Sequence, residues 1–264
     1  MFAPNKEVMA NPTQQGHVKR HDRQGISEIE FYNPLSNSLP GKLLKELAEI
    51  ITAAGNDPEV RVILLRSAGE RAFCAGASFD ELVAIDNEAT GKVFFSGFAR
   101  VINAIRHCPK LVVGRVQGKA VGGAVGLAAA VDYCLATEHA AIKLSELAVG
   151  IGPFVVGPAV ERKVGLSAFS ELTLNPADWR SAQWARDRGL YMEIFSDIEA
   201  LDQGLEKFLD QLRGYNPEAL SELKKVFWQG TEHWEELLSE RAAISGRLVL
   251  SDFTREAINR FKQK

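Results

Sequence analysis

Residues 111–127 read LVVGRVQGKAVGGAVGL, and the order of residue types in this stretch decides the architecture. Residues 111–118, LVVGRVQG, read as a buried strand leading into a glycine cluster. Gln117 and Gly118 end it, the pair Gly122-Gly123 follows, and then the chain turns to Ala and Leu. A buried strand that opens through glycines into an apolar helix is one unit of an α/β fold. Ala120 to Val131 contains no polar side chain, so that helix is expected to be buried on every side. At twelve residues the run falls short of the roughly 20 needed to cross a bilayer.

Working outward, the same alternation of strand and helix continues. Residues 24–34 and Val60 to Arg66 read as strands, with a helix over 40–54 between them that stops at Gly55-Asn56-Asp57-Pro58. A helix is expected over 92–107. Short strands follow at Tyr133 to Ala136, Ile142 to Leu144 and Met192 to Phe195, separated by helical pieces at 155–174 and 180–188. From Asp197 the strand signals cease, and helices are expected over 198–213, 217–228, 231–246 and 252–263. The expected organisation is a flexible arm over 1–16, an α/β core over 17–196 and a helical region over 197–264. The apolar residues of that last region must pack on the core or on another subunit.

Of the 22 glycines in 264 residues, nine fall between 111 and 165, so backbone freedom is concentrated beside the apolar helix. The formal net charge of −3, spread without a long block of one sign, argues against a nucleic-acid or anionic-membrane partner. The three cysteines, Cys74, Cys108 and Cys134, are odd in number and far apart, which points to reduced thiols and a cytoplasmic protein. The five histidines show no metal-binding spacing, and no metal site is expected. Residues 1–16 lack the apolar stretch of a secretory signal.

Three segments carry chemistry. In Arg71-Ala72-Phe73-Cys74-Ala75-Gly76-Ala77-Ser78-Phe79-Asp80-Glu81-Leu82, small residues around Gly76 expose N–H groups where a helix starts, a place that receives anions and carbonyl oxygens. The plain alternative is a tight strand-to-helix connection. At Gly122-Gly123 a ligand oxygen could approach a helix N-terminus unobstructed; the stretch is neither GxGxxG nor a phosphate loop, and close helix–sheet packing explains it equally well. In Lys143-Leu144-Ser145-Glu146-Leu147-Ala148-Val149-Gly150, Glu146 is the only ionisable side chain between Lys143 and Glu161. Such a setting raises a carboxyl pKa towards the range where it takes and returns a proton. The competing reading is a solvent-facing or salt-bridged glutamate.

Together and in this order, AFCAGASFDEL, VQGKAVGGAVGLAAAVDYCLA, ELAVG and the helical end FTREAINRFKQK resemble the crotonase (enoyl-CoA hydratase/isomerase) superfamily over nearly the whole chain. The resemblance implies a spiral of ββα units with a C-terminal helical region that closes the acyl-CoA site and assembles a homotrimer or a dimer of trimers. It implies an acyl-CoA thioester substrate, with coenzyme A as part of the substrate rather than a separate cofactor. By motif position, the N–H groups of Ala77 and Gly123 form the oxyanion hole, and a side chain at Gly123 is expected to crowd the thioester. Ala75, Gly76, Ala77, Ser78, Phe79, Asp80, Gly122 and Gly123 are the implied substrate-binding residues, with Lys264 reaching CoA phosphates.

Family hydratases use two glutamates twenty residues apart. Glu146 matches the second, and Gly126 stands at the first. A glycine side chain cannot activate water, so a single acid/base at Glu146, suited to double-bond isomerisation, is slightly favoured over hydration. Phe154 stands where related dienoyl-CoA isomerases carry an acid and the dehalogenases a nucleophile. The alternatives are a hydratase using another carboxylate such as Asp80 or Glu81, an acyl-CoA decarboxylase, and a non-catalytic CoA-binding protein. Phe79, Phe95, Phe154 and Trp179 are candidates for the acyl pocket, or for ordinary core.

Overall fold

The computed structural model describes residues 15–262; most of the expected arm and Lys264 lie outside them. Six strands form one sheet in the order β1-β2-β3-β4-β6-β8: β1 His17–Arg23, β2 Ile26–Tyr32, β3 Val62–Ser67, β4 Leu111–Val116, β6 Tyr133–Thr137 and β8 Glu193–Phe195. Only β1 and β2 are antiparallel; every later pair is parallel, with a crossover between strands. Strand β1 was not foreseen. Its sequence HVKRHDR buries only Val18, so an edge strand with water on both faces leaves no hydrophobic alternation to read.

The period-two alternation of the central strands builds two cores. Ile63 and Leu65 of β3 and Val112 and Val116 of β4 point into the larger one, shared with helices α1 (Gly41–Asn56), α3 (Glu88–His107) and α4 (Gly123–Ala130). Val62 and Leu64, with Leu111 and Val113, point the other way. There they meet Leu201, Leu205, Leu209 and Leu212 of α7 (Ile198–Gly214). The first helix of the C-terminal region is therefore the second cover of the sheet. Arg115, 2% exposed on β4, fixes it through two hydrogen bonds to the Asp202 carboxylate.

The other C-terminal helices lie elsewhere. Helix α8 (Pro217–Phe227) is tied to the end of α4 by the buried Lys224–Asp132 pair at 2.6 Å, whose carboxylate also accepts from Trp228 Nε1 and the Val112 N–H. Helix α9 (Trp234–Leu248) crosses α3 so closely that a Cβ on Gly91 would stand 2.8 Å from the Cα of Gly246. Helix α10 (Asp252–Lys262) follows. The expected helix over 155–174 is α5 (Gly157–Leu174), interrupted at Gly165, and that over 180–188 is the shorter α6 (Ala182–Asp187). No helix among the described residues is long and apolar enough to cross a membrane.

Candidate active site

A second, two-stranded sheet assembles the site. Strand β5 (Ala120–Val121) pairs in parallel with β7 (Ile142–Lys143). On its other side Cys74 bridges Ala120, with Phe73 N–H donating to Lys119 O and Val121 N–H to Cys74 O. Residues 73–77 and 119–123 thus run side by side and reach the ends of their turns together. At Gly76, φ is +90°, and a Cβ there would lie 2.9 Å from Val121 O and 3.7 Å from the Gly123 nitrogen. The close approach requires glycine. Among the described residues, the N–H groups of Ala77 and Gly123 find no acceptor, although Ala77 and Gly123 both line a cavity of about 380 Å³.

Glu146 comes from the third segment. Gly122 N–H donates to Lys143 O at 2.8 Å, and a 3₁₀ turn over Glu146–Val149 begins three residues on. That register brings the Glu146 carboxylate against the glycine pair: a Cβ on Gly122 would lie 2.9 Å from Glu146 Oε1. Gly122 has φ +57° and ψ −119°, a conformation closed to other residues. Glu146 as a residue forms part of the cavity wall, but its Oε2 is shut off from solvent and has no hydrogen-bond partner. Burial pushes its pKa up to about 7. The half-protonated state this implies at neutral pH suits a group that must accept and return a proton.

The structure brings together Ala75, Gly76, Ala77, Phe79, Gly122, Gly123 and Glu146, all on the cavity wall, with Phe95 and Phe154. Ser78 and Asp80 do not line it. Ser78 caps α2 (Phe79–Val83) by accepting from the Glu81 N–H, and Asp80 lies exposed on that helix. Two expectations need correction, and the glycine at 123 has a further cause. At Gly123 a Cβ would strike the Phe98 ring at 2.3 Å, so the glycine makes room for a core side chain. Trp179 stands off the cavity, its ring within 5 Å of the ammonium groups of Lys119 and Lys143. Glu81 is no substitute for the missing glutamate either: its Oε2 accepts from the Gly41 N–H at 2.8 Å, outside the cavity.

Gly126 is buried in α4. A Cβ there would lie 2.4 Å from Val156 Cγ1 and 2.6 Å from Val156 Cβ. The space beyond position 126 is filled by valine, and Val155 and Val156 are themselves cavity wall. Sequence reasoning missed Val156 and also Phe94 and Phe98. The helical spacing of Phe94 and Phe98, one turn apart, was the signal available for that pair.

A family model described as enoyl-CoA hydratase/isomerase matches residues 21–264, and the chain belongs to that enzyme family. Among relatives, a carnitinyl-CoA dehydratase of Proteus mirabilis (strain HI4320) is 29% identical over 205 residues, covering 78% of this chain and 77% of the relative. The mitochondrial methylglutaconyl-CoA hydratase of Mus musculus is 32% identical over 200 residues, covering 74% and 63%. An enoyl-CoA hydratase from Bacillus halodurans superposes with a TM-score of 0.85 at 20% identity, over 92% of this chain and 99% of that one. A second, from Mycobacterium avium subsp. paratuberculosis K-10, gives 0.81 at 23%, over 92% and 97%. Those two likenesses establish the crotonase fold.

Proposed function

We propose that the protein moves the double bond of an enoyl-CoA thioester, with Glu146 as the sole acid/base. The thioester oxygen accepts from the N–H groups of Ala77 and Gly123. The Glu146 carboxylate removes a proton from C2 of a 3-enoyl ester, the electron pair delocalises onto the thioester oxygen as an enolate, and the protonated Glu146 returns its proton to C4 as the double bond settles between C2 and C3. Each oxyanion donor of this kind typically contributes about 2.7–4 kcal/mol to the transition state. Ala75, Gly76, Phe79 and Gly122, all on the cavity wall, flank the thioester, and Ser78 and Asp80, off that wall, are left with no contact to it. CoA arrives as part of the substrate, so the shuttle calls for no separate cofactor.

The observation that carries this reading is Val156 in the space beside Gly126, which leaves Glu146 as the one carboxyl on the cavity wall among the described residues. Hydration is the second reading, favoured by the dehydratase and hydratase names of the relatives; a water held by backbone groups would then replace the missing carboxylate. Separate incubation of trans-3-enoyl-CoA and trans-2-enoyl-CoA in deuterated water, read by mass, distinguishes them. Migration with deuterium incorporation from the 3-enoyl ester is expected. Hydrated product from the 2-enoyl ester, without migration of the other, would overturn the isomerase reading.

The working form is proposed to be a homotrimer or a dimer of trimers, in keeping with the exposed Leu223, Val226 and Phe227 on α8; sedimentation of the purified chain tests it. A cytoplasmic location is proposed from the free thiols, all three of which are buried.

A further inference from the structure

Beyond its polar end at Glu146 and the two glycines, the cavity is walled by rings. Phe79 from α2, Phe94, Phe95 and Phe98 from α3, and Phe154 from the loop before α5 all contribute. Phe94 and Phe95 already meet edge to face, with centroids 5.0 Å apart. An alkyl chain gains from burial against any apolar wall, whereas an aromatic ring gains in addition from the ring quadrupoles, about two- to tenfold in affinity for each well-placed pair. The cavity is also small, about 380 Å³, near the lower end for ligand pockets, and Val155 and Val156 limit its extent.

Charge narrows the choice further. Lys143 lines the cavity, but its ammonium donates to Ala177 O at 3.3 Å and lies 4.9 Å from the Trp179 ring centre. Neither partner lines the cavity, so that cation is turned away from the acyl group. Among the described residues, an acyl carboxylate would meet Glu146 and no cation. A quaternary ammonium would be welcomed by the ring faces, yet its fixed charge would be desolvated with only one half-neutral carboxyl to oppose it. We propose that the pocket selects a compact, uncharged, aryl-bearing acyl group, making the substrate an arylacyl-CoA. This rests on the acyl-CoA reading above for the thioester end only.

The test uses saturated esters, which cannot isomerise, titrated calorimetrically into the full chain: acetyl-, hexanoyl-, 3-phenylpropanoyl-, glutaryl- and 4-(trimethylammonio)butanoyl-CoA. We expect the phenylpropanoyl ester to bind about tenfold more tightly than hexanoyl-CoA and the glutaryl ester most weakly of the four longer esters. Phe95→Leu and Phe154→Leu, checked for folding by circular dichroism, should draw the phenylpropanoyl-to-hexanoyl ratio towards one. Hexanoyl-CoA binding as tightly as the aryl ester, or the cationic or anionic ester binding more tightly, would overturn the proposal while leaving the acyl-CoA reading intact. Failure of every ester, acetyl-CoA included, would overturn both.

Discussion

Gly126 and Val156 occupy one another's space: a single carbon added to the glycine would stand 2.4 Å from a valine methyl. The absence of a carboxylate at 126 is therefore built into the packing. Gly126→Glu alone should destabilise the protein by about 1–3 kcal/mol through overpacking and leave hydration of 2-enoyl-CoA unraised. Gly126→Glu combined with Val156→Gly should recover part of that stability and raise hydration. Thermal unfolding and product mass check the pair; a single variant that hydrates efficiently would contradict the geometry.

Glu146 must be ionised to take the first proton. With its pKa at about 7, kcat/KM for a 3-enoyl ester should rise through that pH and level off above it. Glu146→Gln should lower turnover by about 10²–10⁴-fold while acyl-CoA affinity, measured by calorimetry, is kept. A pH profile flat from 5 to 9 would remove Glu146 from the proton-transfer step.

The same burial makes a stability prediction of definite sign. The folded state raises the carboxyl from 4.5 to about 7, so folding favours the protonated form. Its contribution is fully present below pH 4.5 and is lost as pH rises through 7, in total roughly 3 kcal/mol. Urea unfolding of wild type and Glu146→Gln across pH 4–8 should show the wild type losing stability relative to the variant over that window. Parallel curves would mean that the carboxyl is better solvated than its position indicates.

Gln117, 1% exposed, donates to Ser67 Oγ, Gly69 O and Ala72 O, and Asn37 Nδ2 donates to the same Ala72 oxygen at 3.0 Å. Two amides thus clamp the loop that ends at Ala77. Gln117→Met should cost about 1–3 kcal/mol, by leaving Ser67 Oγ and Gly69 O unpaired while Ala72 O keeps Asn37, and should lower kcat more than it raises KM. Steady-state kinetics beside urea unfolding separate the two effects; a loss confined to KM would show that the clamp does not set the Ala77 N–H.

Much of this was legible in the chain. The strands at 62–67, 111–116 and 133–137 and most helices show their periodicity, because one face of each is buried and the pattern of apolar residues records it. Glu146 stood out as a lone carboxyl in an apolar run for the same reason. Strand β1 left no such trace, since it buries almost nothing.

Local pattern also determined that Gly122 and Gly76 are turns, that α4 is buried, and that no carboxylate stands at 126. What pattern could not decide is which distant atoms share a space. That Gly123 clears Phe98, that Val156 closes the place beside Gly126, that Trp179 sits with two lysines outside the cavity, and that five phenylalanines line one cavity are contacts between residues far apart in sequence. They depend on the parallel pairing of β5 with β7 and on the contact of α3 with α4. Short-range periodicity reports whether a side chain is buried; only the packed chain determines against what.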